Sequence, residues 1–405
     1  MLRNFSVVFP TAILLSSFFY SELAQGQALP WKRFAIDSQL NGADGVRLAD
    51  ANGDGLVDIV SGWEESGATR AYFNPGSAKC RQSWPYVQVG TSPSIEDAVW
   101  VDLNNDNHLD ILSSCEGSEQ SLRYFLAPSN RDQLLVPELW QSGIVSSSQH
   151  ASRWMFAAPF DDNTVVIGSK NPNGMVALLQ IENGDVENAS IQKLATAGWI
   201  MSLYVLDVDR DGDSDILYSD RRSSDSGIYW LQNSDDGNKW DRFSIGQQGT
   251  EVMFLSRPQV TEESSSTRLQ LTAAIKADKI VSLRQQADPK LPWEQTFATT
   301  IPNAMFGNAK GVAVANLDEH GAAEIVFSCE SANEEKCGVG YIKIDEHNNV
   351  TYHKVSGPAG IKFDLVELVD LDSDGDLDIL TCEEREKNNT QGGGLGVIWY
   401  ENPTR

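Results

Sequence analysis

LVELVDLDSDGDLDIL, residues 365–380, decides the fold. An apolar run ends at Asp370, side-chain oxygens recur at Asp372, Asp374 and Asp378, Gly375 sits among them, and a second apolar run opens at Ile379. Hard cations such as Ca2+ take oxygen ligands from carboxylates, carbonyls and water. Glycine supplies the turn that folds a chain round such an ion. Carboxylates confined this closely repel one another unless something positive lies between them. A helix-loop-helix calcium hand requires Glu at the twelfth loop position. Thr381 stands there instead, and the flanks LVELV and DILTC read as short strands, so the site is of a strand-loop-strand kind.

The motif recurs as DANGDGLVD from Asp50 to Asp58, DLNNDNHLD from Asp102 to Asp110 and DVDRDGDSD from Asp207 to Asp215, with a weaker copy, NLDEHGAAE, from Asn316 to Glu324. Its turn position is Gly55, Asn107, Gly212, Gly321 and Gly375, and Asn is the other residue that tolerates a left-handed backbone. A spacing of roughly fifty residues leaves room for two further units without ligands, whose strands are VVIGS at 165–169 and LQLTAAI at 269–275. Each unit carries two more strands. One is aromatic, as in RAYFNP (70–75), LRYFLAP (122–128), GIYWLQN (227–233) and GVIWYEN (396–402); the other often begins with Trp, as in WPYVQV (84–89), WDRFSI (240–245) and WEQTFA (293–298). Four strands in each of seven units is the pattern of a β-propeller. The chain stops after the third strand of unit seven, and WKRFAI at 31–36 is expected to supply the fourth, closing the ring and removing an open sheet edge.

These repeats resemble the FG-GAP or VCBS repeat propellers, whose relatives include the integrin α-subunit head, some fungal lectins and some polysaccharide lyases. The resemblance covers nearly all of residues 31–405 and implies an all-β, seven-bladed propeller with calcium in its loops; it says little about activity. The chain departs from the family in lacking the Phe-Gly and Gly-Ala-Pro signatures in most units, and His320 and Glu324 put the sixth loop in doubt as a calcium site. Four loops are expected to bind one Ca2+ each, as scaffold. The ligands are Asp50, Asn52, Asp54, the Leu56 carbonyl and Asp58; Asp102, Asn104, Asp106, the His108 carbonyl and Asp110; Asp207, Asp209, Asp211, the Asp213 carbonyl and Asp215; and Asp370, Asp372, Asp374, the Asp376 carbonyl and Asp378.

Residues 1–26 read as an export signal: Arg3 is the positive start, residues 7–19 are largely apolar, and Ala24, Gln25 and Gly26 offer a cleavage site. Residues 27–405 then form the propeller, secreted or periplasmic, with no other stretch near the ~20 apolar residues of a membrane span. The formal net charge of -26, from 31 basic and 57 acidic residues, argues against nucleic acid and anionic membranes as partners. A monomer binding a glycan or a protein is expected. Of the five cysteines, Cys329 and Cys337 flank a hairpin tip and could be bonded, while Cys80, Cys115 and Cys382 read equally as buried thiols.

No nucleophile elbow, phosphate-binding glycine loop or HExxH is present. An enzyme assembled from the loops of several blades would leave no such local signature. One column of residues stands out instead. Counting past the last loop ligand to the far end of the second strand reaches Glu64, Glu116, Arg221, Glu330 and Glu384, with Lys170 and Lys276 in the two degenerate units. Asp364, Asp44 and Glu96 extend the acidic arc and Arg153 the basic one. Such a column is what a solvated loop edge carries. It is also what a polarised binding face would carry, with acidic and basic arcs facing one another round the channel mouth opposite the calcium loops. An interaction module is the first expectation and a carbohydrate-active enzyme, a polysaccharide lyase or sugar dehydratase, the alternative. On the binding-face reading, Arg221→Ala and Glu384→Ala should affect binding alone and Asp374→Ala the melting temperature.

Overall fold

The computed structural model describes residues 30–234, 237, 239–263, 266–276, 278–384 and 394–404; the export signal expected at 1–26 lies outside them. The strands assemble into seven antiparallel sheets arranged as the blades of a propeller. Blade one runs outward through Ala43–Ala49, Asp58–Trp63, Ala68–Tyr72 and Tyr86–Thr91. Its second and third strands are buried throughout, whereas the fourth alternates. A strand covered on both faces needs no polar alternation, which is why DIVSGW, DILSSC, DILYSD and DILTCE read as near-continuous apolar and small-residue runs.

The innermost strands of blades two to seven are Ile95–Val101, Arg153–Asp161, Ile200–Leu206, Val252–Leu255, Asn308–Ala315 and Phe363–Val369. Each packs on the next, and the first packs on the seventh. Trp63, Trp154, Trp230 and Trp399 are fully buried, and Trp230 and Trp399, on the aromatic third strands, fill the packing role expected there. The sheet of blade seven comprises Phe363–Val369, Asp378–Glu383 and Gly396–Glu401, and its outermost strand is Lys32–Asp37 from the other end of the chain. Asp37 ties that strand to blade one: its Oδ2 accepts from Arg70 Nη1 at 2.6 Å and from Tyr72 Oη at 2.9 Å, and Tyr72 Oη accepts from Trp63 Nε1 at 2.8 Å, all buried.

Two features depart from the four-strand repeat. In blade five, Val252–Leu255 and Gln259–Glu263 both pair with Ser266–Ile275, and Pro258, which has no N–H to give a ladder, lies in the break. Every innermost strand also shifts register near the end remote from the aspartate loops, at Asp44/Arg47, Ile95/Asp97, Trp154/Phe156, Ile200/Ser202, Val252/Leu255, Ala309/Val312 and Phe363/Val366. Such bulges bend a strand and re-aim its side chains. No described helix is long and apolar enough to cross a membrane. The possible Cys329–Cys337 bond is not formed: all five cysteines are buried free thiols.

Candidate functional site

The aspartate loops join the first and second strands at one end of the ring. The turn position has φ of +86° at Gly55, +63° at Asn107, +101° at Gly212, +73° at Gly321 and +95° at Gly375, as its residue types foretell. A second left-handed residue two places earlier, namely Gly53, Asn105, Arg210, Glu319 or Ser373, was not legible, because Arg, Glu and Ser carry no such preference. These turns aim backbone N–H groups at the leading carboxylate. Asp50 accepts from Gly53 N at 2.8 Å and Gly55 N at 3.0 Å, Asp102 from Asn107 N at 2.9 Å, Asp207 from Gly212 N at 3.1 Å and Asp370 from Gly375 N at 3.0 Å.

The last carboxylate of each loop is buried and fastens it to the third strand. Asp58, Asp110, Asp215 and Asp378 accept from Ala51, Leu103, Val208 and Leu371 with one oxygen. The other oxygen accepts from Asn74, Ala127, Asn233 and Asn402. Burial pushes Asp58 up to about 6 and Asp110, Asp215 and Asp378 up to about 7.

The donors fit a hard cation. One oxygen from each of Asp207, Asp209 and Asp215, and from each of Asp370, Asp372 and Asp374, lies within 4.8 Å of the other two in its set, a separation that an ion with ~2.4 Å bonds can bridge. Asp209 Oδ1 is buried without a hydrogen-bond partner among the described residues. In loops one and two the third and fifth side chains also meet, Asn52 Nδ2 donating to Asp54 at 3.0 Å and Asn104 Nδ2 to Asp106 at 3.2 Å. Loop six is different. Lys343, from the third strand of its blade, pairs with Asp318 and stands 3.6 Å from Glu324 Oε1, so an ammonium on the protein supplies the positive charge.

At the opposite mouth the charged column becomes one chain of contacts running through all seven blades. Lys310 Nζ lies 3.2 Å from Asp364 Oδ2 and 3.4 Å from Glu384 Oε1, and Lys362 pairs with the other Glu384 oxygen. Asp44, Asp364 and Glu384 cluster; so do Glu64, Glu65 and Glu384, and so do Glu64, Glu96 and Glu116. Lys170 pairs with Glu116, lies 3.6 Å from Glu96 and stands 4.2 Å over the Trp199 ring. Arg221 and Arg222 approach the same ring at 4.8 and 4.9 Å. Glu251 then faces Arg221 at 3.4 Å, Arg222 at 3.4 Å and Lys276 at 3.7 Å. Glu330 acts on Lys310 through its field.

The bulges explain why these side chains converge: Asp44, Glu96, Lys310 and Asp364 sit in or beside the register shifts. Burial raises the Asp44 carboxyl well above its usual range, and Asp364 and Glu384 raise it further. Asp364 moves the other way: burial opposes its ionisation, but Lys310 holds it below the ordinary value. Burial, with Glu65 and Glu384 beside it, pushes Glu64 up to about 7, and burial raises Glu96 despite Lys170.

The sequence expectation needs two corrections. The acidic and basic arcs do not face one another as free fields, since Lys170 binds Glu116 at their junction and Lys310 and Lys362 stand inside the acidic arc. Glu384 is only 1% exposed and paired with two lysines, so Glu384→Ala cannot leave stability untouched. Lys310, Trp199, Arg222 and Glu251 were missed. Lys310 had a signal, because AKGV at 309–312 repeats ADGV at 43–46, the stretch that places Asp44. Trp199 had none, because nothing in a lone indole distinguishes a mouth residue from blade packing.

The fold and its two ends define a seven-bladed propeller with aspartate-rich loops at one end and a charged mouth at the other. Residues 25–113, which include the N-terminal strand and blade one, match the family model described as an FG-GAP-like repeat, the repeat read from the motifs. No curated protein matches the sequence. Among solved structures the chain is similar to BBS1N in complex with ARL6DN (TM-score 0.54, 8% identity, 93% of this chain and 98% of that one). It is similar also to YCF48 from Cyanidioschyzon merolae (0.53, 8%, 93% and 99%) and to virginiamycin B lyase from Staphylococcus aureus (0.51, 11%, 91% and 97%). At these identities the likeness is one of fold alone.

Proposed function

We propose that the protein is an exported, calcium-stabilised interaction module that binds a glycan or protein ligand at the mouth opposite the aspartate loops. The observation that carries the reading is the run of charged side chains, contributed by all seven blades, joined across Trp199 and partly buried, at one end of the ring. Stability alone does not favour such burial, because desolvating ion pairs costs as much as their attraction returns. Charges gathered where loops converge, within low-dielectric walls, instead orient a polar ligand. Export rests on the character of residues 1–26, and calcium on the repeated donor sequence of the four loops and on the clustered carboxylates of the loops headed by Asp207 and Asp370. A glycan-array screen tests the reading: wild-type protein should retain a ligand that the Glu64→Gln/Glu116→Gln double variant holds more weakly. A ligand bound equally by both proteins would overturn it.

A second reading, a polysaccharide lyase or sugar dehydratase, is favoured by one pair. Asp44 and Asp364 are neighbours whose affinities for a proton are driven apart, the arrangement that separates a general acid from a general base, and Glu64 near 7 is a further candidate. Incubation with uronate-containing polysaccharides checks it: unsaturated products support turnover, and binding without them supports the module.

A further inference from the structure

We infer that the basic end of the mouth, around Trp199, is a subsite for the anionic group of an acidic saccharide; the inference rests on the mouth being the ligand face. Its side-chain cations outnumber the carboxylates that face them, since the buried Asp220 is turned to the backbone N–H groups of Gly198, Trp199 and Arg222 and pairs with none of those side chains. One carboxylate, Glu251, is shared by Arg221, Arg222 and Lys276 at 3.4, 3.4 and 3.7 Å, longer than the ~2.8 Å of a close charge-assisted hydrogen bond. Arg221 is only 7% exposed, and its described partners are this shared carboxylate and the indole face. Lys170, on the same ring, is already committed to Glu116.

The indole explains how the cations are held together. Its ring attracts Lys170, Arg221 and Arg222 through the quadrupole, which offsets part of their mutual repulsion without neutralising them. An oxyanion seated between Arg222 and Lys276, whose side chains are 47% and 37% exposed and so within reach, would supply the missing charge.

The neighbouring arc narrows the class. Beyond Lys170 lie Glu96, Glu116 and Glu64, whose carboxyl oxygens can accept hydrogen bonds and whose burial and crowding already disfavour negative charge among them. A ligand that satisfies both sides carries one anionic group with hydroxyl donors beside it. That describes a uronic or singly sulfated sugar unit, and it rejects polyphosphates and nucleic acid, whose charges repeat along the chain.

The test uses calorimetry on the calcium-loaded protein with a glucuronate-containing disaccharide, its methyl ester, and a singly sulfated disaccharide. The acid should bind at least about tenfold more tightly than the ester, and added salt should weaken the acid selectively. Arg222→Gln/Lys276→Gln should erase the difference between acid and ester, while Glu64→Gln/Glu116→Gln should weaken both. Binding of the sulfated probe with the same dependence supports the shared oxyanion chemistry. If the acid is not bound, or binds the Arg222→Gln/Lys276→Gln protein unchanged, the subsite is refuted. If acid and ester bind alike and Glu64→Gln/Glu116→Gln weakens both, the subsite falls while the mouth stands as the ligand face.

Discussion

Lys310 Nζ stands 3.2 Å from Asp364 Oδ2, and both side chains are more than nine-tenths buried. A buried ammonium with no counter-charge is far costlier than a paired one, and the same holds for the carboxylates left behind when it is removed. Lys310→Met strands Asp364 and Glu384 beside Asp44. It should lower stability by ~3–5 kcal/mol in denaturant unfolding near neutral pH, and by less at pH 5, where the carboxylates can take up protons. A loss below ~1 kcal/mol would show that the cluster does not depend on this lysine.

On the proposed calcium reading, the aspartate loops should link ion binding to pH. Asp110, Asp215 and Asp378 are pushed up to about 7 in the ion-free fold, against ~3.9 when unfolded. The folded protein thus binds more protons than the unfolded chain between those values, so ion-free stability falls as pH rises through that window. Calcium needs the ionised carboxylates, so its binding should release protons and raise the melting temperature more at pH 8 than at pH 5. Asp374→Ala should remove part of that increment. Melting curves with calcium and with chelator across this pH range check the linkage; an increment independent of pH would break it.

Loop six should behave as a loop with its own tethered cation. Lys343→Met leaves Asp318 and Glu324 close together without the ammonium that now lies between them. The variant's melting temperature should drop in chelator and recover in calcium beyond the wild-type response, as loop six becomes ion-dependent. An equal drop in both conditions would mean that Lys343 supports the blade in some other way.

The join between the chain's two ends rests on Asp37. It is 3% exposed and receives Arg70 and Tyr72 from blade one while belonging to the outer strand of blade seven. Asp37→Ala strands the Arg70 guanidinium and should cost ~3–5 kcal/mol. It should also raise hydrogen exchange in Lys32–Asp37 and Gly396–Glu401 ahead of blades three and four. Uniform exchange around the ring would place the weak point elsewhere.

The sequence by itself determined the ring. Nine-residue loops with Gly or Asn at a fixed place, short apolar strands on either side of them and an unmatched strand at each end are local properties, set by backbone sterics and by hydrogen bonds a few residues apart. Asp370 to Asp378 was therefore readable one loop at a time, and so was the doubt over the loop closed by Glu324. The charged column was legible as a column, because five blades repeat the same count from loop to mouth and the other two align by their strands. Only the tertiary structure decided what the column is. Lys310 meets Asp364 and Glu384, Lys170 meets Glu116 and Trp199, and Lys343 meets Asp318 and Glu324, because bulges and third strands bring together residues from different strands and blades. An electrostatic contact depends on distance in space and on burial, and neither quantity is written in the order of the residues.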